Sequence, residues 1–179
     1  MSYTSEFVES IEKPAQFWER QSNKISWFQS PENILTKDDH GFYQWFKGGT
    51  LNTCYLALDK HVAAGRGGQA ALIYDSPVTD QKQTFTYDQL LDQTALFAGA
   101  LANLGVGKGD RIIIYMPMIP EAVIAMLASA RLGAIHSVVF GGFAANELAV
   151  RIDDAKPKVI VSATCGIEFT NVIPYKPLL

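Results

Sequence analysis

Two glycine-bearing strings in this 179-residue chain have residue types suited to holding a phosphate or another anion: Gly105-Val106-Gly107-Lys108-Gly109-Asp110 and Phe140-Gly141-Gly142-Phe143. A phosphate loop leaves a strand and enters a helix, so that free N–H groups at the helix start face the anion. The first string has the opposite order. It follows a helical pattern ending near Leu104 and precedes the apolar run Arg111 to Tyr115, so it reads as a helix stop and a tight turn. The second has the productive order, between an apolar strand ending at Val139 and a helix beginning near Asn146. Its two glycines either let a ligand approach the backbone or supply a connection that needs positive φ, and the motif by itself leaves both readings open.

The remaining reactive side chains carry less. His136 sits inside an apolar strand with no acid nearby in sequence, which reads as a hydrogen-bonded core histidine. Arg151 falls in mid-helix and reads as solvated. Cys54 and Cys165 lack CxxC spacing and a second pair, so no zinc site or disulfide framework is expected, and a reduced, cytoplasmic setting is. Neither a GxxxxGK[ST] loop nor a hydrolase elbow with Ser, His and Asp is present. Taken alone, these residues stop at an α/β domain without an assigned reaction.

The elements that position these residues are legible from Ala70 onward. Ala70 to Tyr74 and Thr84-Phe85 read as strands, and Thr86-Tyr87-Asp88-Gln89 has the form of a capping box opening a helix to Leu104. Arg111 to Tyr115 is a β-branched run of the kind buried on both faces of a parallel sheet. Pro120 suits the first turn of the next helix, and Gly133 its end. A strand over 135–139, a helix over 147–155 stopped by Pro157, and a last strand over 159–162 complete an alternation typical of βαβ units on a parallel sheet. Before residue 65 the chain is aromatic and irregular, with short helices expected at 14–23 and 51–64. It reads as an arm whose rings either pack on something larger or form a small core of their own. The expected division is therefore an arm over 1–65 and a sheet domain over 66–179.

Composition narrows the partners. A formal charge of −3 gives no general attraction to nucleic acid or anionic membrane. The apolar stretch 112–131 approaches the length of a membrane span, but Pro117, Pro120 and Glu121 interrupt it. The start, Met-Ser-Tyr-Thr-Ser-Glu, lacks the basic and apolar regions of an export signal.

Several strings resemble the acetyl- and propionyl-CoA synthetases, the AMP-forming short-chain acyl-CoA synthetase family. These are Trp45-Phe46-Lys47-Gly48-Gly49-Thr50-Leu51-Asn52-Thr53-Cys54-Tyr55, the Gly105 to Arg111 string, Tyr115-Met116-Pro117-Met118-Ile119-Pro120-Glu121-Ala122, and Gly133-Ala134-Ile135-His136-Ser137-Val138-Val139-Phe140-Gly141-Gly142-Phe143. Ala71 to Thr79 and Cys165-Gly166-Ile167-Glu168 tilt the likeness toward the propionyl branch. The resemblance implies the amino-terminal part of a ligase that uses ATP, Mg²⁺ and CoA to form acyl-AMP from a short-chain carboxylate, then acyl-CoA. Its catalytic residues are expected downstream of Leu179, so this chain by itself is expected to be inactive, and to self-associate through uncovered apolar surface. The resemblance also implies that Phe140, Gly141 and Gly142 lie against CoA. It aligns Asn171 where relatives often place an arginine that meets a CoA phosphate. Phe169 in place of a common proline and Leu56 in place of Asn are further departures. The alternative reading is a free-standing α/β binding or interaction module.

Overall fold

The computed structural model describes residues 2–140 and 145–179, Phe140 by its backbone alone. The chain divides into two compact units, Met1–Asn52 and Thr53–Leu179.

In the first unit, α1 (Tyr3–Glu12) is capped by the Ser2 hydroxyl, which accepts the Ser5 N–H at 3.3 Å. Pro14 opens α2 (Pro14–Ser22), whose Arg20 returns to Glu6 and Glu9 of α1 at 3.0 and 2.8 Å. Next come two antiparallel strands, β1 (Asn33–Lys37) and β2 (Tyr43–Lys47). Their turn is held by the Asp38 carboxylate, which accepts the N–H groups of His40 and Phe42, both at 2.9 Å, while Gly41 takes positive φ. The aromatic segments expected to be irregular thus include a hairpin, and α1 precedes the helix expected at 14–23. Phe17, Trp18, Trp45, Phe46 and Trp27 form a chain of ring contacts with centroids 5.1–6.0 Å apart. The rings do meet one another, yet Phe28, Phe42 and Tyr43 remain exposed.

The second unit opens with two π-helical turns, Tyr55–Asp59 and Val62–Arg66, where a helix was expected. β3 (Ala70–Ser76) and β4 (Gln81–Thr86) follow. They pair with each other, antiparallel, in a two-stranded sheet, and do not start the parallel sheet as the alternation of elements implied. Their antiparallel pairing follows from the loop: four residues, Pro77 to Asp80, can close a hairpin but cannot make a parallel crossover. α3 (Tyr87–Asn103) has the expected capping box, with Gln89 N–H donating to Thr86 Oγ1 at 3.3 Å and Thr86 N–H to Gln89 Oε1 at 2.9 Å.

β5 (Arg111–Met116), α4 (Pro120–Arg131), β6 (Ile135–Phe140), α5 (Ala145–Ala155) and β7 (Val159–Ser162) build a parallel sheet in the order β6-β5-β7. Central β5 is covered on both faces, as its continuous apolar run requires. Ile112 and Ile114 pack with Leu101, Ala125 and Ala128 of α3 and α4, whereas Ile113 and Tyr115 pack with Val139, Leu148 and Tyr175. A third cluster, Cys54, Leu58, Phe85, Leu90 and Ile124, joins the π-helical turns and the β3–β4 hairpin to α3 and α4. β7 is not the last strand: β8 (Cys165–Glu168) and β9 (Asn171–Pro174) form a second hairpin in this unit. Among the described residues, no helix is long and apolar enough to cross a membrane.

Candidate functional site

An apolar groove of about 650 Å³ opens at the carboxyl ends of β5 and β6. Parallel strands bring their carboxyl ends to one edge, and the turns that leave them form the rim where open α/β sheets receive ligands. Met116, Pro117 and Met118 leave β5, Val138 and Val139 belong to β6, and Leu72 and Ile73 come from β3. The β8–β9 hairpin adds Ile167 and Glu168. Such a wall buries an apolar stem well and offers one carboxylate, so it supplies no positive charge of its own.

The four expected coenzyme contacts divide as follows. Phe140 is the last residue of β6, paired in register with Met116, so the strand delivers it to the groove end of the sheet. Gly141 and Gly142 lie outside the described residues. Asn171 begins β9 and is exposed. It stands directly across the ladder from Glu168, so the neighbour of this neutral amide is a carboxylate on the same face. β6 and the β8–β9 hairpin border one groove, which sequence spacing did not reveal. Sequence reading also missed Met116, Met118, Glu168 and Tyr175 as lining residues. The run Met-Pro-Met after a buried strand was the available signal.

The Gly105 to Asp110 string is a structural turn, as its order implied. Gly105 and Gly109 take positive φ, and the Asp110 carboxylate accepts the Gly107 N–H at 2.8 Å and the Lys158 ammonium at 3.1 Å. Lys158 also donates to the Gly105 carbonyl. The Gly107 N–H and the Lys158 ammonium are thus spent on the chain itself. The Gly107 N–H, followed by Lys158, holds the Asp110 carboxyl below its ordinary range. A depressed folded value means that the contribution is complete above the ordinary carboxylate range and is lost as pH falls through the folded value. The Gly107 amide proton resonance should therefore shift only below the usual aspartate range, and Asp110→Asn should abolish the step. A Gly107 titration at an unperturbed aspartate value would contradict the contact.

Other side chains take structural roles. His136 is half-buried on β6, and burial lowers its pKa, favouring the neutral ring. Arg151, expected to be solvated, donates to the Glu147 carbonyl at 2.7 Å and pairs with its carboxylate at 3.0 Å. Arg131 grips Asp59 through both terminal nitrogens at 2.9–3.1 Å and approaches Cys54 Sγ at 3.7 Å. Burial raises the Cys54 thiol pKa, against the opposing pull of Arg131. Among the described residues, no group of three or more His, Cys, Asp or Glu is placed to hold a metal ion.

Comparison with known proteins agrees with this geometry. Residues 59–176 match the family described as AMP-binding enzyme, and residues 3–57 match the acetyl-coenzyme A synthetase N-terminus. The mitochondrial acyl-CoA synthetase short-chain family member 3 of Rattus norvegicus is 49% identical over 99% of this chain and 26% of its own length. Propionate–CoA ligase of Salmonella typhimurium is 46% identical over all of this chain and 28% of its own. The acetoacetyl-CoA synthetase of Streptomyces lividans superimposes with a TM-score of 0.89 at 27% identity, covering 99% of this chain and 27% of that one. The chain spans about a quarter of the length of the curated relatives it matches. It belongs to the AMP-binding enzyme family, and matches the amino-terminal part of the family's short-chain acyl-CoA synthetases.

Proposed function

We propose that this chain forms the coenzyme A side of an AMP-forming ligase acting on propionate or acetate. The observation that carries the reading is the apolar groove at the carboxyl ends of β5 and β6, bordered by the strand that leads to Phe140 and the hairpin that bears Asn171. In the whole enzyme the carboxylate attacks the α-phosphate of ATP and releases pyrophosphate. The CoA thiol then displaces AMP. Phe140, Gly141 and Gly142 lie against the coenzyme, and residue 171 faces one of its phosphates. ATP, Mg²⁺ and the acyl group are held by other parts of the enzyme, which acts in the cytoplasm with its two cysteines reduced. The uncovered apolar groove is a surface through which isolated copies self-associate.

On this reading the 179 residues alone release no pyrophosphate from ATP and propionate above a protein-free control, because the groups that position the transferring phosphate belong to other parts of the enzyme. Turnover that follows the protein through purification would refute it.

CoA binding is the direct test. Asn171 supplies a neutral amide where a guanidinium would make a charged, forked contact, and Glu168 opposes the anion. The dissociation constant should be millimolar or poorer, about 4 kcal/mol or less of binding free energy. Asn171→Arg should strengthen binding about tenfold, near the lower end of the roughly 1.5–3 kcal/mol of a charge-assisted contact, because Glu168 competes for the new cation. Chemical-shift mapping should place the perturbations at Phe140 and Asn171. Perturbations elsewhere, or no gain from the arginine, would count against the assignment.

A further inference from the structure

The β8–β9 hairpin hydrogen-bonds to no other strand among the described residues, so something else must fix its direction. Its outer part, from Ile167 to Val172, is exposed throughout. Its inner end is not. Gly166 is buried, Ile173 packs against the cluster built on Ile113 and Tyr115, and Tyr175, one residue beyond β9, is buried in that cluster. The Tyr175 ring lies against Tyr115 of β5 with centroids 4.7 Å apart, and its N–H donates to the Thr164 carbonyl at 2.9 Å. Its hydroxyl end reaches Gly166. A β-carbon at residue 166 would overlap that hydroxyl and lie 2.7 Å from the ring carbon bearing it, although the backbone there has no positive φ. Glycine is required at 166 by the space the tyrosine occupies.

We propose that Tyr175 is a positioning residue: seated on Tyr115 and reaching Gly166, it sets the direction of the β8–β9 hairpin and thereby the reach of residue 171 toward a CoA phosphate. The inference rests on the coenzyme reading above. Tyr175 need not touch the ligand's phosphate. It acts through the hairpin, whose far end would otherwise pivot about the short link from β7.

The test is residue-resolved amide hydrogen exchange on the full chain, combined with CoA chemical-shift mapping. Tyr175→Ala removes the ring. Gly166→Ala keeps the tyrosine side chain and sets a methyl group against its hydroxyl end, so it forces the hairpin and the ring apart and serves if the first variant folds poorly. Tyr175→Phe keeps the ring and should behave as the unsubstituted chain. Both alanine variants should speed exchange at residues 165–173 by about tenfold or more, with β5 amides 112–115 changing by less than about threefold. CoA-induced shifts at Asn171 should shrink in the same variants, and those at Phe140 should persist. Equal acceleration in β5 and the hairpin, or an unaffected hairpin in both alanine variants, would overturn the proposal. A local loosening with no CoA-induced shift at Asn171 in the unsubstituted chain also overturns the positioning role. That pattern locates the failure in the coenzyme reading, and leaves Tyr175 an anchor without a ligand to serve.

Discussion

Replacing Ile113 by alanine is expected to lower the unfolding free energy by about 2–5 kcal/mol, the usual cost of an aliphatic side chain removed from a packed interior. Ile113 is 0% exposed at the centre of the only strand that pairs on both sides among the described residues. Its neighbours Tyr115, Val139, Leu148 and Tyr175 come from β5, β6, α5 and the segment after β9, so no single element can shift to close the cavity. Ile73→Ala provides the contrast. That side chain is 73% exposed on β3, and its loss should change stability by no more than about 0.5 kcal/mol. Urea midpoints for the two variants decide the matter, and equal shifts would mean that the parallel sheet is not where the stability of this unit resides. A domain stable by about 5–15 kcal/mol would lose a large share through one residue.

The second large effect should come from Asp59→Ala. The carboxylate receives both arms of Arg131 and links a π-helical turn to the end of α4, beside buried Cys54. Side-chain exposures of 33% for Arg131 and 24% for Asp59 place the pair between a surface ion pair and a buried one. The cost of removing one partner is then about 1.5–3 kcal/mol, most of it the desolvation of a guanidinium deprived of that carboxylate. The double variant Asp59→Ala/Arg131→Met should recover much of the loss, because no charge is left behind and methionine fills part of the volume. A double variant no better than the sum of two singles would show that the pair contributes packing alone.

Sequence legibility followed the physics of each element. Thr86 and Gln89 announced a helix because a capping box is a local device, complete within four residues. The run from Ile112 to Tyr115 announced a strand covered on both faces because only burial tolerates four consecutive large apolar side chains. The β1–β2 hairpin was missed although Asp38 and Gly41 mark its turn, because Phe42, Tyr43, Trp45 and Phe46 after the turn obscure the alternation. At β8–β9 the signal was absent. The two-residue turn is Phe169-Thr170, and Phe169 holds φ +53, a conformation that glycine or asparagine would ordinarily advertise. A proline, whose ring fixes φ at about −65°, could not occupy that backbone. Of the groove, the sequence offered only the strand that ends at Phe140 and the Met-Pro-Met run that leaves β5. The groove itself depends on how β6 and the hairpin are placed around β5, which spacing along the chain does not encode.

The sheet order also bears on the speed of folding. The hairpins β1–β2, β3–β4 and β8–β9 join neighbours in sequence, and such closures take microseconds. β5 must instead find Ile135 beside Arg111 and Val159 beside Ile112, the second pairing only after α4, β6 and α5 have been laid down. Loop-closure entropy is spent before either contact returns it, so the rate-limiting step should be the docking of β7 onto β5. Substitutions in β7 should then slow refolding, while those confined to the hairpins should mainly hasten unfolding.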